Sequence, residues 1–295
     1  MATAPDRLLR RLEWKLGRRL DGRLQGAYRT VWHGAGIDFT DLRTYTPEDD
    51  VRHIDWNVTA RLDEPHVRQY TEDREMTAWF VIDRSASMKF GGNSGKESVA
   101  AELAIGLARL VNQGGNRVGA ILFDNRESKI IPPRTGRDQI LRIARELTKE
   151  QKVHKTTTTT DLTGMLSLAA ATTRRRRSLL FVMSDFIGDP GWDKPLAQLT
   201  HRHETVVIRI VDPSELELPD VGLILVEDAE TGETLLVDTS DPLLRGRLAD
   251  QVGEREDTLA AGMRRAGVRP HRVTTDQDLL AVLVDMVRRS AGGRR

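Results

Sequence analysis

The chain has 295 residues, 45 Lys and Arg against 44 Asp and Glu for a formal net charge of +1, and no cysteine. That length can bury a sizeable core in one domain with an extension. The balanced charge removes the global electrostatic case for a nucleic-acid binder, the missing cysteines exclude disulfides and thiolate metal sites, and no run reaches the ~20 apolar residues of a membrane span.

The N-terminus carries no apolar signal core, so the expected compartment is the cytoplasm. Leu8, Leu9, Leu12, Leu16 and Leu20 recur at helical spacing. The opposite face is basic, with Arg7, Arg10, Arg11, Lys15, Arg18 and Arg19. A solvated helix packed on the domain accounts for this pattern, and a membrane-surface helix is the alternative. Residues 25–73 read as irregular, with short strand-like pieces. Arg43, Arg52 and Arg61 mix there with Asp41, Asp49, Asp50 and Asp55 around Tyr45 and Trp56. That composition predicts an ion-paired collar belonging to the folded unit rather than a linker.

From Met76 strands and helices alternate. Strand Thr77–Ile82 leads to helix Lys96–Asn112, strand Arg117–Phe123 and a short strand near Lys129–Ile131. Helices Arg137–Thr148 and Asp161–Thr172 precede strand Ser178–Met183. A helix near Trp192–His201 precedes strand Thr205–Val211. Leu223–Val226 and Thr234–Val237 flank a Gly-containing turn and read as a hairpin. Helix Pro242–Ala266, strand Arg269–Thr274 and helix Asp276–Arg289 follow, with Gly292-Gly293-Arg294-Arg295 as a frayed tail. The alternation predicts an α/β fold: a doubly wound, mostly parallel sheet with helices on both faces. The expected division is residues 1–75 as helix and collar packed on a main domain of 76–295, with the hairpin an insertion near 223–237.

Asp83-Arg84-Ser85-Ala86-Ser87 stands where the first apolar strand ends. Asp83, Ser85 and Ser87 alternate, so a curved loop can turn all three toward one point. One carboxylate and two hydroxyls are hard oxygen donors, the kind Mg²⁺ prefers. Ligand sites in open α/β sheets lie at the carboxyl ends of strands. The five-residue pattern alone also fits a simple helix-start cap at Ser87. Two further loops add oxygen side chains: Thr160-Asp161 opens a helix, and Ser184-Asp185 ends a second buried strand.

Other candidates fall away. Gly91–Glu97 is not a phosphate loop, because Phe90 stands where its first Gly belongs and Glu97 replaces the Mg²⁺-binding hydroxyl. A phosphoaspartyl enzyme built on Asp83 needs an acid/base Asp two residues on, and Ser85 is there. His201-x-His203 reads as a helix-end interaction, and Arg174–Arg177 as a basic helix C-terminus.

The D-x-S-x-S, Thr and Asp constellation resembles the metal-ion-dependent adhesion site of von Willebrand factor A (VWA) domains. The segment Gly36–Trp56, with Thr59-Ala60-Arg61, resembles the stretch ahead of such a domain in the bacterial DUF58 family, whose members look like partners of MoxR-type AAA+ ATPases. The resemblance implies a VWA-like fold and one bound Mg²⁺ or Mn²⁺. By it Ser85, Ser87 and Thr160 coordinate directly, while Asp83 and Asp185 act mostly through water. It further implies a non-enzymatic adaptor or co-chaperone that binds a MoxR-type ATPase, or a client offering an exposed Asp or Glu, at the open metal position. Arg84, if it faces the rim, would steer such a partner. A metal-dependent hydrolase acting on a phosphate ester is the alternative.

Overall fold

The computed structural model describes residues 37–47, 49–62, 64–72, 76–89, 95–125, 127–149, 159–217, 220–227 and 234–292. The basic helix expected over Leu8–Leu20, the Gly-rich loop 91–94, the hairpin tip and the extreme C-terminal tail lie outside the described residues.

The collar is more regular than its composition suggests. Strands β1 (Ile37–Thr44) and β2 (His66–Glu72) pair antiparallel, with a register shift between Phe39 and Asp41. Between them lie a 3₁₀ turn (Val51–His53) and the short helix α1 (Trp56–Leu62). Charged residues within both strands hide the alternation that marks a strand in sequence. The expected ion pairing holds at Arg43, whose guanidinium donates to both oxygens of Asp49 at 2.6 and 2.5 Å. Asp49 also accepts from the Thr46 backbone and hydroxyl, and its pKa falls far below the usual carboxylate range. Trp56 does not anchor a core: it is 69% exposed.

The main body is built on a six-stranded sheet in the order β10-β7-β6-β3-β4-β5. Its strands are β3 (Thr77–Asp83), β4 (Arg117–Phe123), β5 (Ser128–Arg134), β6 (Leu179–Ser184), β7 (Glu204–Val211) and β10 (His271–Thr274). All neighbours are parallel except the β4–β5 pair at one edge. The helices are α2 (Lys96–Gln113), α3 (Arg137–Leu147), α4 (Leu162–Thr172), α5 (Asp193–Arg202), α6 (Pro242–Arg265) and α7 (Leu279–Gly292).

Strand periodicity sorts the core into two layers. Ala78, Phe80 and Ile82 join Leu103, Ile105, Ile143 and Leu283 on the face covered by α2, α3 and α7. Trp79 and Val81 join Met165, Leu166, Leu196, Leu199 and Met263 on the face covered by α4, α5 and α6. Phe80 and Phe181 stack across the central pair at 4.9 Å. The hairpin β8 (Leu223–Glu227) and β9 (Thr234–Asp238) forms a sheet of its own, with Leu223, Leu225, Leu235 and Leu236 exposed.

Strand β3 leaves its carboxyl end toward α2 on one face, whereas β6 leaves toward α5 on the other. The strand order therefore reverses between β3 and β6, and it is outside the carboxyl ends at such a reversal that open α/β sheets place their ligand sites. Asp83 is the last residue of β3, and Ser184 the last of β6.

Candidate metal centre

Asp83, Ser85, Ser87 and Asp185 lie at that switch point, and these four and Thr160 are all buried: Asp83 (0%), Ser85 (2%), Ser87 (9%), Thr160 (0%) and Asp185 (1% exposed). The loop after β3 folds back on its own carboxylate. The Ser85 backbone N–H donates to Asp83 Oδ1 at 2.9 Å, and the hydroxyls of Ser85 and Ser87 stand 3.1 Å apart. Ser87 begins a 3₁₀ turn running to Lys89. The two strand ends are tied directly, the Ser184 hydroxyl donating to Asp83 Oδ2 at 2.6 Å.

The loop after β6 is held in an uncommon conformation. Phe186 has φ 58°, a left-handed backbone that a bulky residue adopts only when its surroundings impose it. Its amide donates to Ser184 Oγ and its ring meets Trp192 edge-on at 5.2 Å. The Ile187 N–H donates to Asp185 Oδ1 at 3.0 Å. Thr160 sits on a third loop that Asn125 pins from both sides: its side-chain amide donates to Thr159 O, and its carbonyl accepts from Asp161 N, both at 2.9 Å. Asp161 caps α4 by accepting from the Gly164 amide. The Thr160 loop abuts the loop after β6, because a Cβ on Gly188 would lie 2.4 Å from Thr160 O.

Burial raises the Asp83 pKa to about 6, and the nearby Asp185 charge adds to the rise; bonds from Ser184 and Ser85 oppose it. Asp83, withdrawn from water and bonded only to hydroxyl and amide donors, is short of positive charge. Among the described residues no three His, Asp, Glu or Cys side chains gather as a metal site. A cation here would therefore rest on hydroxyls as well as carboxylates. That donor set fits a hard, partly hydrated ion such as Mg²⁺.

Arg84 does not face the rim. It is 6% exposed, and its guanidinium donates to Glu97 Oε1 at 2.9 and 2.6 Å and to the carbonyls of Glu146 and Lys149. It clamps the loop to α2 and to the end of α3, and the expected steering role is withdrawn.

Sequence reasoning missed Asn125 and Lys96. Lys96 is wholly buried, with its ammonium 2.7 Å from Asp185 Oδ2 and 2.5 Å from Glu215 Oε1. Ser184 was legible as half of the Ser-Asp pair. Nothing in the sequence marks Lys96 apart from its place in the rejected phosphate-loop pattern.

The family described as Protein of unknown function DUF58 matches residues 41–258. The chain belongs to the DUF58 family. This DUF58 chain is 36% identical to an uncharacterized protein of Mycobacterium tuberculosis over 291 residues, 97% of this chain and 89% of that one. An uncharacterized protein of Mycobacterium bovis gives the same figures. The main body is VWA-like, a doubly wound sheet with the D-x-S-x-S loop at its switch point. Solved structures similar to it include BatB from Bacteroides thetaiotaomicron, with TM-score 0.46 and 14% identity over 74% of this chain and 98% of that one. The SpRpn10 VWA domain gives TM-score 0.38 and 12% identity over 72% and 94%. No helix among the described residues is long and apolar enough to cross a membrane.

Proposed function

We propose that this chain is a metal-dependent protein-binding module working as an adaptor or co-chaperone with a MoxR-type AAA+ ATPase. The observation that carries the reading is the meeting of Asp83, Ser85, Ser87 and Asp185 at the β3–β6 switch point, with Asp83 short of positive charge there. Ser85, Ser87 and Thr160 would hold Mg²⁺ or Mn²⁺ through their hydroxyls, and Asp83 and Asp185 would hold its water. When bound, the ion supplies a positive point to which a carboxylate of the partner can attach. The chain's own contribution is orientation: Ser184 fixes Asp83, Ile187 fixes Asp185, and Asn125 fixes the Thr160 loop.

The test is calorimetry of Mg²⁺ and Mn²⁺ into the wild type and Asp83→Ala, followed by affinity for the MoxR-type ATPase in EDTA and in Mg²⁺. Metal binding by the wild type alone, and an affinity that vanishes in EDTA, are expected. Equal metal binding by both proteins removes the site assignment. An ATPase affinity unchanged by EDTA removes the metal from recognition.

A further inference from the structure

We infer that Lys96 is a resident cation that keeps the metal end assembled before any metal arrives and sets how tightly metal then binds; the second half rests on the metal reading above. Lys96 is the first residue of α2. A buried ammonium is costly unless closely paired. Here it is paired twice, at 2.7 Å to Asp185 and 2.5 Å to Glu215, with no solvent exposure of its side chain. Three distant segments meet on one nitrogen: the start of α2, the end of β6 and the 3₁₀ turn Pro213–Glu215 that follows β7.

That turn is itself built to present Glu215. Asp212 and Glu215 form a capping box, and the Asp212 side chain accepts from Ser214 and from the Thr275 hydroxyl at the end of β10. The ammonium thus connects the carboxyl ends of β6 and β7 and, through Asp212, reaches β10. A bivalent surface pair would not need a fully buried lysine or a dedicated turn.

Two consequences follow. First, the chain itself engages both oxygens of Asp185, Oδ1 by the Ile187 amide and Oδ2 by Lys96, so protein groups alone fix its loop. Second, Lys96 offsets one of the charges of Asp83, Asp185 and Glu215. A divalent cation entering the site meets a net attraction that Lys96 lowers and Glu215 raises. Changing either charge moves metal affinity in opposite directions, although neither residue is among the proposed ligands.

The experiment combines thermal melts and Mg²⁺ calorimetry on full-length wild type, Lys96→Met and Glu215→Gln. In EDTA, Lys96→Met should melt well below the wild type, and Mg²⁺ should raise its melting temperature more than it raises the wild type's. Removing one unit of positive charge beside the site should tighten Mg²⁺ binding by about tenfold, and Glu215→Gln should weaken it by a comparable factor. Equal melting of Lys96→Met and wild type in EDTA overturns the assembling role. Unchanged Mg²⁺ affinity in both variants overturns the tuning role. If Lys96→Met does not fold, Glu215→Gln decides the tuning role alone. If the wild type binds no Mg²⁺, the metal reading and the tuning fall together, while a loss of melting temperature in Lys96→Met in EDTA still supports the assembling role.

Discussion

Gly188→Ala should separate metal binding from folding. Gly188 lies in the loop after Asp185, where an added Cβ would stand 2.4 Å from the Thr160 carbonyl and 3.3 Å from the Leu162 side chain. Side-chain carbons essentially never approach closer than 3.0 Å, and the obstacle is backbone rather than a flexible tip. The two loops must therefore part by at least about 0.6 Å, on the order of three times the ~0.2 Å tolerance of a metal–ligand distance. Thr160 cannot simply retreat, because Asn125 holds its loop on both sides and Asp161 caps α4. An overpacked contact of this kind costs about 1–3 kcal/mol of stability. Mg²⁺ demands near-octahedral geometry, so its affinity should fall by at least about tenfold. Calorimetry of Mg²⁺ into the variant, beside a urea melt, reads both quantities. A variant that binds Mg²⁺ like the wild type would show that Thr160 is not a ligand, or that the site lies elsewhere.

Arg84→Ala leaves Glu97 and the carbonyls of Glu146 and Lys149 without their partner; a loss of about 3 kcal/mol in urea unfolding is expected, and an unchanged midpoint would mean the clamp is idle. Gly262→Ala puts a Cβ 2.8 Å from the Trp192 ring, which packs on Phe186, so a loss of about 1–3 kcal/mol with an altered near-ultraviolet aromatic signal is expected. His203 has its pKa lowered, by burial first and then by the charges of Arg202 and Arg177. Its Nδ1 accepts from the Ser178 amide, a bond that protonation there would break. The stability it adds is complete above its unfolded value near 6.5 and is lost as pH falls toward and through its lower folded value. The melting temperature should drop more between pH 7.5 and 5.5 for the wild type than for His203→Gln, and parallel curves would refute the assignment.

The main body was legible because its strands are unbroken apolar runs and its helices carry clear periodicity. Each bounded element from β3 to α6 lies within a residue or two of its expected ends. The exceptions have physical causes. The expected short strand near Lys129 is the whole of β5, because an antiparallel edge strand is half solvated and reads as polar. Strand β1 interleaves Asp38, Asp41 and Arg43 with its apolar residues, so its period of two is obscured. Asp83, Ser85, Ser87 and Asp185 were readable as neighbours because chemistry and strand-end position coincide there. Lys96 was not, because a lysine opening a helix is ordinarily a solvated one. Its burial depends on Glu215, 119 residues further along the chain. Arg84 misled for the same reason: a charge beside a surface loop gives no sign that carbonyls from the end of α3 will enclose it.

The flank of the main sheet closes itself. Strand β5 ends Ile131-Pro132-Pro133-Arg134, and two successive prolines offer no amide to a further strand. The bulge between Val118 and Ala120 is occupied by the side-chain amide of Gln139, which donates to Val118 O at 2.8 Å and Pro132 O at 2.9 Å. Exposed Lys129 adds a charge to the same border, and the opposite border, β10, is only four residues long. Neither side invites a stranger's backbone to extend the pleated surface. Indiscriminate strand exchange between copies, the usual hazard of an open sheet in a crowded solution, is thereby blocked.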